Sequence, residues 1–136
     1  MAFGTAYKLT NVGTAITAKR MVGATPSQAE PKFLAIGVGA TGAARTAADA
    51  DTALSTEVET RTTCSTSTVT TTLTNDTFQA VGTVTATAGR SVDEAGLFDI
   101  VTSSTGNLYL SATFPVVGLL VGDSVAITAK VQYLPS

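Results

Sequence analysis

Three clusters and one lone thiol hold the residues that could do chemistry. Gly37-Val38-Gly39-Ala40-Thr41-Gly42 matches G-x-G-x-x-G, comes directly after an apolar strand, and has Glu57 and Glu59 at about the distance of a ribose-binding acid. Dinucleotide binding also needs a helix N-terminus for the pyrophosphate and a second buried parallel strand. The adjoining segment, Ala43 to Leu54, has almost no large apolar residue to pack on a sheet, and the next strand is Thr-rich. The glycines are better read as letting the strand end turn sharply.

Asp49, Asp51, Glu57 and Glu59 could offer oxygen ligands to calcium. Where an EF-hand loop needs its turn glycine the chain has Leu54, and where it needs its bidentate glutamate it has Thr60. They read as solvated loop charges. Asp93, Glu94 and Asp99 resemble the paired carboxylates of glycoside hydrolysis, but the chain has no tryptophan and no aromatic cluster nearby to serve as a sugar platform. Glu94 is expected at a bend, accepting hydrogen bonds from backbone or from Arg61 or Arg90. Cys64 lies in a Thr/Ser strand of a chain without histidine, so it has no imidazole base and reads as a small strand residue. The lack of histidine also removes the commonest general base and zinc ligand. No catalytic, cofactor-binding or metal residue is assigned, and no enzyme is expected.

The elements that would position these groups are mostly strands. Thr10 to Gly23 reads as a short N-terminal helix: Val12, Ala15, Ile16 and Lys19 have helical spacing, Thr10 is an N-cap, Lys19 and Arg20 suit the C-terminal dipole, and Gly23 fits the position after the helix. Ala24 to Pro31 is a polar loop. Lys32 to Val38 is a strand buried on both faces. Gly39 to Glu59 is a long excursion with a helical turn near Asp51 to Leu54. In Thr60 to Thr77, 12 of 18 residues are Ser or Thr, which favours strand, since β-branched Thr suits a pleated surface and needs no charge to be soluble. This run is expected to pair, across an Asn75-Asp76 turn, with a strand whose Phe78, Ala80, Gly82, Val84 and Ala86 share a face. Ser91 to Val101 forms the crossing point of the core. Leu97 to Val101 and Asn107 to Phe114 form a second hairpin, and Val125, Ile127, Ala129, Val131 and Tyr133 alternate along the last strand. The expected fold is mainly β: one domain over residues 1–136, an antiparallel β-sandwich, jelly-roll-like, with one short N-terminal helix.

Charged residues make up only 13% of the chain, about half the usual share, and mean hydropathy is +0.31. A surface this poor in charge implies cover by other subunits. The net charge of −2 gives no basic footprint for nucleic acid. Phe114 to Val121, the most apolar run, is far too short to cross a membrane, and the Met1-Ala2-Phe3-Gly4 start leads into no signal-like apolar region.

Leu9-Thr10-Asn11-Val12-Gly13, together with the later Phe33-Leu34-Ala35-Ile36-Gly37-Val38-Gly39, resembles the start of phage tail-collar fibre proteins. With Thr52-Ala53-Leu54-Ser55-Thr56-Glu57-Val58 and Glu94-Ala95-Gly96-Leu97-Phe98-Asp99, the longer pattern is similar to short structural proteins of tailed-bacteriophage virions. The resemblance implies a β-sandwich virion component with no catalytic residue. The chain lacks the repeated shaft or coiled coil of a fibre, so the expected role is a capsid decoration (cement) protein. It would be a homotrimer on the capsid surface, made in the host cytoplasm and bound to the major capsid protein. A tail or fibre-attachment protein and a host-glycan binding module are the alternatives. Val116, Val117, Leu119 and Leu120 are the expected interface; Glu94, Gly96, Phe98 and Arg61 are expected to be structural.

Overall fold

The N-terminal helix forms where its capping chemistry places it. The computed structural model describes residues 8–23, 29–40 and 46–133. Helix α1 runs Asn11–Met21, and the Thr10 side chain accepts from the Gly13 backbone N–H at 3.0 Å. Thr10 Oγ1 in turn donates to the Leu108 carbonyl, so the cap also fastens the helix to the sheet. Lys19 and Arg20 occupy the last turn, and Gly23 adopts φ +71°, the left-handed position that ends helices. Gly13 permits the close approach, because a Cβ there would lie 2.5 Å from the Tyr109 carbonyl oxygen.

The strands are β1 (Lys8–Leu9), β2 (Phe33–Gly37), β3 (Glu57–Thr63), β4 (Ser65–Val69), β5 (Thr77–Thr85), β6 (Arg90–Phe98), β7 (Leu108–Leu119) and β8 (Ser124–Gln132). They make two antiparallel sheets, a five-stranded one ordered β1-β7-β6-β2-β3 and a three-stranded one ordered β4-β5-β8. Leu34, Ile36, Ala95, Leu97, Leu110 and Phe114 from the first share one core with Ala80, Val84, Val125, Ile127 and Ala129 from the second. The chain is therefore mainly β, with two antiparallel sheets and one short helix.

Several expectations change. The Ser/Thr-rich run divides between the sheets: β3 pairs with β2, and only β4 pairs with β5 in the expected hairpin. The switch falls at Cys64, whose N–H donates to the Lys32 carbonyl at 2.7 Å. The stretch from Ser91 is one strand from Arg90 to Phe98, with register shifts against β7 after Val92 and after Leu97, and with Ile100 and Val101 in the turn beyond it. In place of the helical turn near Asp51, that carboxylate accepts from the Ala48 N–H while the Asp51 N–H donates to the Ala48 carbonyl, closing a side-chain turn. Thr41 to Arg45 and Ala24 to Gln28 lie outside the described residues.

The expected Asn75-Asp76 turn is present. Asn75 takes φ +57°, and the Asp76 carboxylate accepts from the N–H groups of Thr71, Thr72 and Leu73 at 2.9, 2.9 and 3.0 Å and from Gln132 Nε2 at 2.8 Å. Burial alone would raise its pKa, but the backbone donors of Leu73, Thr71 and Thr72, together with Gln132, outweigh burial and hold it well below the usual carboxylate range. A depressed native pKa contributes stability that is full above the unfolded value of about 4 and is lost as pH falls through the native one. The urea midpoint of the wild type should fall steeply as pH drops below about 4. Asp76→Asn should start lower at pH 7 and show a flatter acid limb. Parallel limbs for the two proteins would show that Asp76 carries none of the acid sensitivity.

Candidate functional site

The three clusters singled out for chemistry do not assemble. Gly37 ends β2, and Gly39 takes φ +93° in the turn beyond it, as the bland reading of the glycines requires. Gly42 lies outside the described residues, both sheet neighbours of β2 are antiparallel, and no helix occupies residues 46–56. Asp49 pairs with Lys8 at 3.6 Å, Asp51 accepts from the Ser111 hydroxyl at 3.0 Å, Glu57 binds Arg61, and Glu59 binds Arg90. The four acids thus point to four different partners. Asp93 accepts from the Ala40 N–H at 3.2 Å, whereas Asp99 accepts from the Asn107 backbone and side chain, both at 2.7 Å. Cys64 is buried beside Gly82, where burial pushes its thiol up to about 11.

The residues expected to be structural lie on the outer face of the five-stranded sheet. A register shift between Val92 and Glu94 resets the alternation of β6. Glu94, Gly96 and Phe98 then face away from the shared core, toward a second cluster of Ala35, Leu54, Phe98 and Leu108. Glu94 is fully buried, and its Oε1 accepts from the N–H groups of Ser55 and Thr56 at 2.6 and 3.2 Å. The expected backbone donors are present, but Glu94 sits in mid-strand, because the 46–56 segment lies over this face and supplies those donors.

Arg61 and Arg90 are engaged elsewhere. The Arg61 guanidinium forms a fork on Glu57 (Nε–Oε1 2.8 Å, Nη2–Oε2 2.9 Å), donates through Nη1 to the carbonyls of Ile100 and Thr105, and stacks 3.6 Å from the Phe98 ring centroid. Arg90 donates to Glu59 at 2.9 Å; Glu59 takes φ +61° at an irregularity of β3 and also accepts from the Thr87 hydroxyl at 2.6 Å. A hollow of about 290 Å³ lies between Thr52–Glu57 and Ser104–Gly106 above Arg61 and Phe98. Its charged lining residues, Arg61 and Glu57, are tied up in these internal bonds, so the arrangement clamps loops to a sheet.

The apolar run holds a different surface from the one expected. Val116 and Leu120 are exposed, at 54% and 74%, and Val117 is half-buried. Leu119 turns inward and joins the core because it alternates with Leu120 at the end of β7, so Val121, 72% exposed, takes its place in the patch. The turn carrying Leu120 and Val121 is fastened. Asp123 Oδ2 accepts from the Leu120 N–H at 2.8 Å, Asp123 N–H donates to the Leu120 carbonyl at 3.0 Å, and Gly122 and Asp123 exchange backbone bonds with Ala86.

A second apolar surface was not legible. At the other end of β7, a register shift at Tyr109 turns that ring toward α1. Its hydroxyl bonds those of Thr17 and Tyr133 at 2.8 and 2.9 Å, and its ring meets Phe78 edge-on at 6.1 Å. Ile16, Phe78, Tyr109, Tyr133, Met21 and Pro31 line a hollow of about 680 Å³, with Arg20 and Glu30 at its mouth. Ile16, Phe78 and Tyr133 each carried a sequence signal, as members of the helical spacing and of two strand alternations, but nothing in the sequence brought them together. No protein-family model, curated protein or solved structure matches the chain.

Proposed function

We propose that the protein is a structural component of a tailed-bacteriophage virion: a capsid decoration (cement) protein, trimeric, which binds the major capsid protein on the surface of the assembled head and catalyses nothing. Its two sheets would be the halves of an antiparallel β-sandwich, jelly-roll-like as the sequence led us to expect. The observation that carries this reading is the β7–β8 turn, which holds Leu120 and Val121 in solvent on a framework of hydrogen bonds. A tied turn presents its apolar side chains without an ordering cost on binding, which is how a contact surface differs from a loose loop. The low charge and the motifs resembling phage virion proteins point the same way.

The work of such a protein is thermodynamic. A ligand that binds the assembled lattice and not its dissociated subunits stabilises the lattice by about 2.7 kcal/mol per site at a hundredfold excess over Kd. Cryo-electron microscopy of the particle tests the assignment, with density expected over the capsomers. Density confined to baseplate or fibre would reject the head location, and a plain monomer by native mass spectrometry would undercut the trimer.

A further inference from the structure

Each sheet ends on two strands whose outer backbone groups need water or a partner, and the four edges are not alike. Among the described residues β1 has two residues and β4 has five, while β3 is broken where Glu59 takes φ +61°. Short edges and irregular ones resist pairing with another chain. The β8 edge is neither. It runs for nine residues, Ser124–Gln132, without proline or glycine, and its register on β5 is unbroken from end to end.

The ladder decides which backbone groups are open. The Tyr133 N–H donates to the Asp76 carbonyl at 2.8 Å, and the Asp123 carbonyl accepts from the Ala86 N–H at 2.8 Å. Bonding alternates along an antiparallel strand, so Val125, Ile127, Ala129 and Val131 direct their backbone groups at β5. Those of Ser124, Ala126, Thr128, Lys130 and Gln132 point the other way, and among the described residues β8 pairs with β5 alone. Such an edge accepts another extended strand. Charge selects which one. Lys130, the only charged residue of β8, is exposed and has no carboxylate partner among the described residues. Asp123, just ahead of the strand, is exposed and has no cationic partner among them. A parallel copy of β8 would set Lys130 against itself, whereas an antiparallel copy sets each lysine beside the other chain's Asp123.

We infer that the β8 edge docks the β8 edge of a second copy of this chain, antiparallel about a two-fold axis. Ser124 lies opposite the partner's Lys130 and Ala126 opposite the partner's Thr128, so the open N–H and C=O groups satisfy one another. The joined sheet then runs β4-β5-β8-β8-β5-β4 through both copies. The contact is isologous, the same surface serving on both sides. It goes beyond the proposed function and does not rest on it: copies around a three-fold axis would meet through other surfaces, and this contact would tie one such trimer to the next. Two edge strands bury little surface, so the pairing is weak between free copies and gains where a lattice holds them side by side.

Disulfide trapping tests the contact even where it is weak. Directly opposed residues of a hydrogen-bonded pair lie about 5.5 Å apart at Cα, a span a disulfide bridges. Ala126→Cys and Thr128→Cys place thiols at two half-buried positions of β8, and the native Cys64 is buried. Under mild oxidation an equimolar mixture should give a covalent dimer containing one copy of each variant, in clear excess over linkage within either variant alone. Adding Lys130→Glu to both chains should cut the linked yield about tenfold, since the new carboxylate would face the partner's Asp123, with circular dichroism confirming the fold. No linkage in the mixture would overturn the inference, as would linkage chiefly within one variant. Amide exchange on the unmodified protein gives a second readout: the N–H groups of Ala126, Thr128 and Lys130 should gain protection as protein concentration rises. Protection at every concentration would mean that the chain covers its own edge, and would also overturn the inference.

Discussion

Arg61→Ala should lower stability by about 3–5 kcal/mol, the cost of breaking a buried ion pair from one side. The Arg61 side chain has no exposed surface and that of Glu57 only 8%, so deletion leaves a carboxylate with little water to replace its partner. The carbonyls of Ile100 and Thr105 lose their donor together, and the Phe98 face loses a cation held 3.6 Å from its centroid. Urea unfolding followed by circular dichroism measures the loss. Arg61→Lys should recover only part of it, because an ammonium cannot supply the fork to Glu57 and two carbonyl bonds at once. Glu57→Gln combined with Arg61→Ala should cost less than the sum of the single changes, since the stranded charge is then gone. A loss under about 1 kcal/mol for Arg61→Ala would place this pair among surface bridges and remove it as the clamp.

What could be read from the sequence is what local chemistry decides. Thr10, Lys19, Arg20 and Gly23 marked both ends of α1 because a cap, a dipole and a left-handed residue each act within one turn. β8 was legible because Val125, Ile127 and Ala129 alternate with more exposed residues. The division of the Ser/Thr run was not, since Thr63 and Ser65 look alike to any periodicity while belonging to different sheets. What separates them is tertiary: the Cys64 N–H bond to Lys32, and Gly82, which leaves room for the thiol.

The same distinction explains the site residues. Glu94, Gly96, Phe98 and Arg61 were expected to be structural; the first three share the outer face of β6 and Arg61 stacks on Phe98, but the arginine's partner was misjudged. Glu57 lies four residues from Arg61 along the same strand, a spacing that suggests a helix pair when no register is known. The irregularity in β3 around Glu59 brings the two together. The expected interface set held Leu119, which is buried, and left out Val121, which is exposed, because an unbroken apolar run carries no sign of which residues alternate inward.

Glu94→Ala carries the other large effect, a loss of about 2–4 kcal/mol from stranded backbone donors and the space left behind. The fully buried carboxylate accepts from the N–H groups of Ser55 and Thr56, and these bonds hold the 46–56 segment over the outer face of the sheet. Glu94→Gln keeps one acceptor oxygen and the shape, so its loss should be smaller. Native-state hydrogen exchange locates the effect: in Glu94→Ala the amides of Ser55 and Thr56 should lose protection before those of β5 and β8 do. Gly37 supplies an independent check, since it pairs with Glu94 across β2 and β6 and a Cβ there would lie 2.5 Å from Glu94 Oε1. Gly37→Ala should therefore destabilise the wild type and be tolerated far better once Glu94 is alanine, the coupling expected of two groups in contact. If Glu94→Ala melts like the wild type, the carboxylate does not hold the 46–56 segment, and the buried face of β6 depends on apolar packing alone.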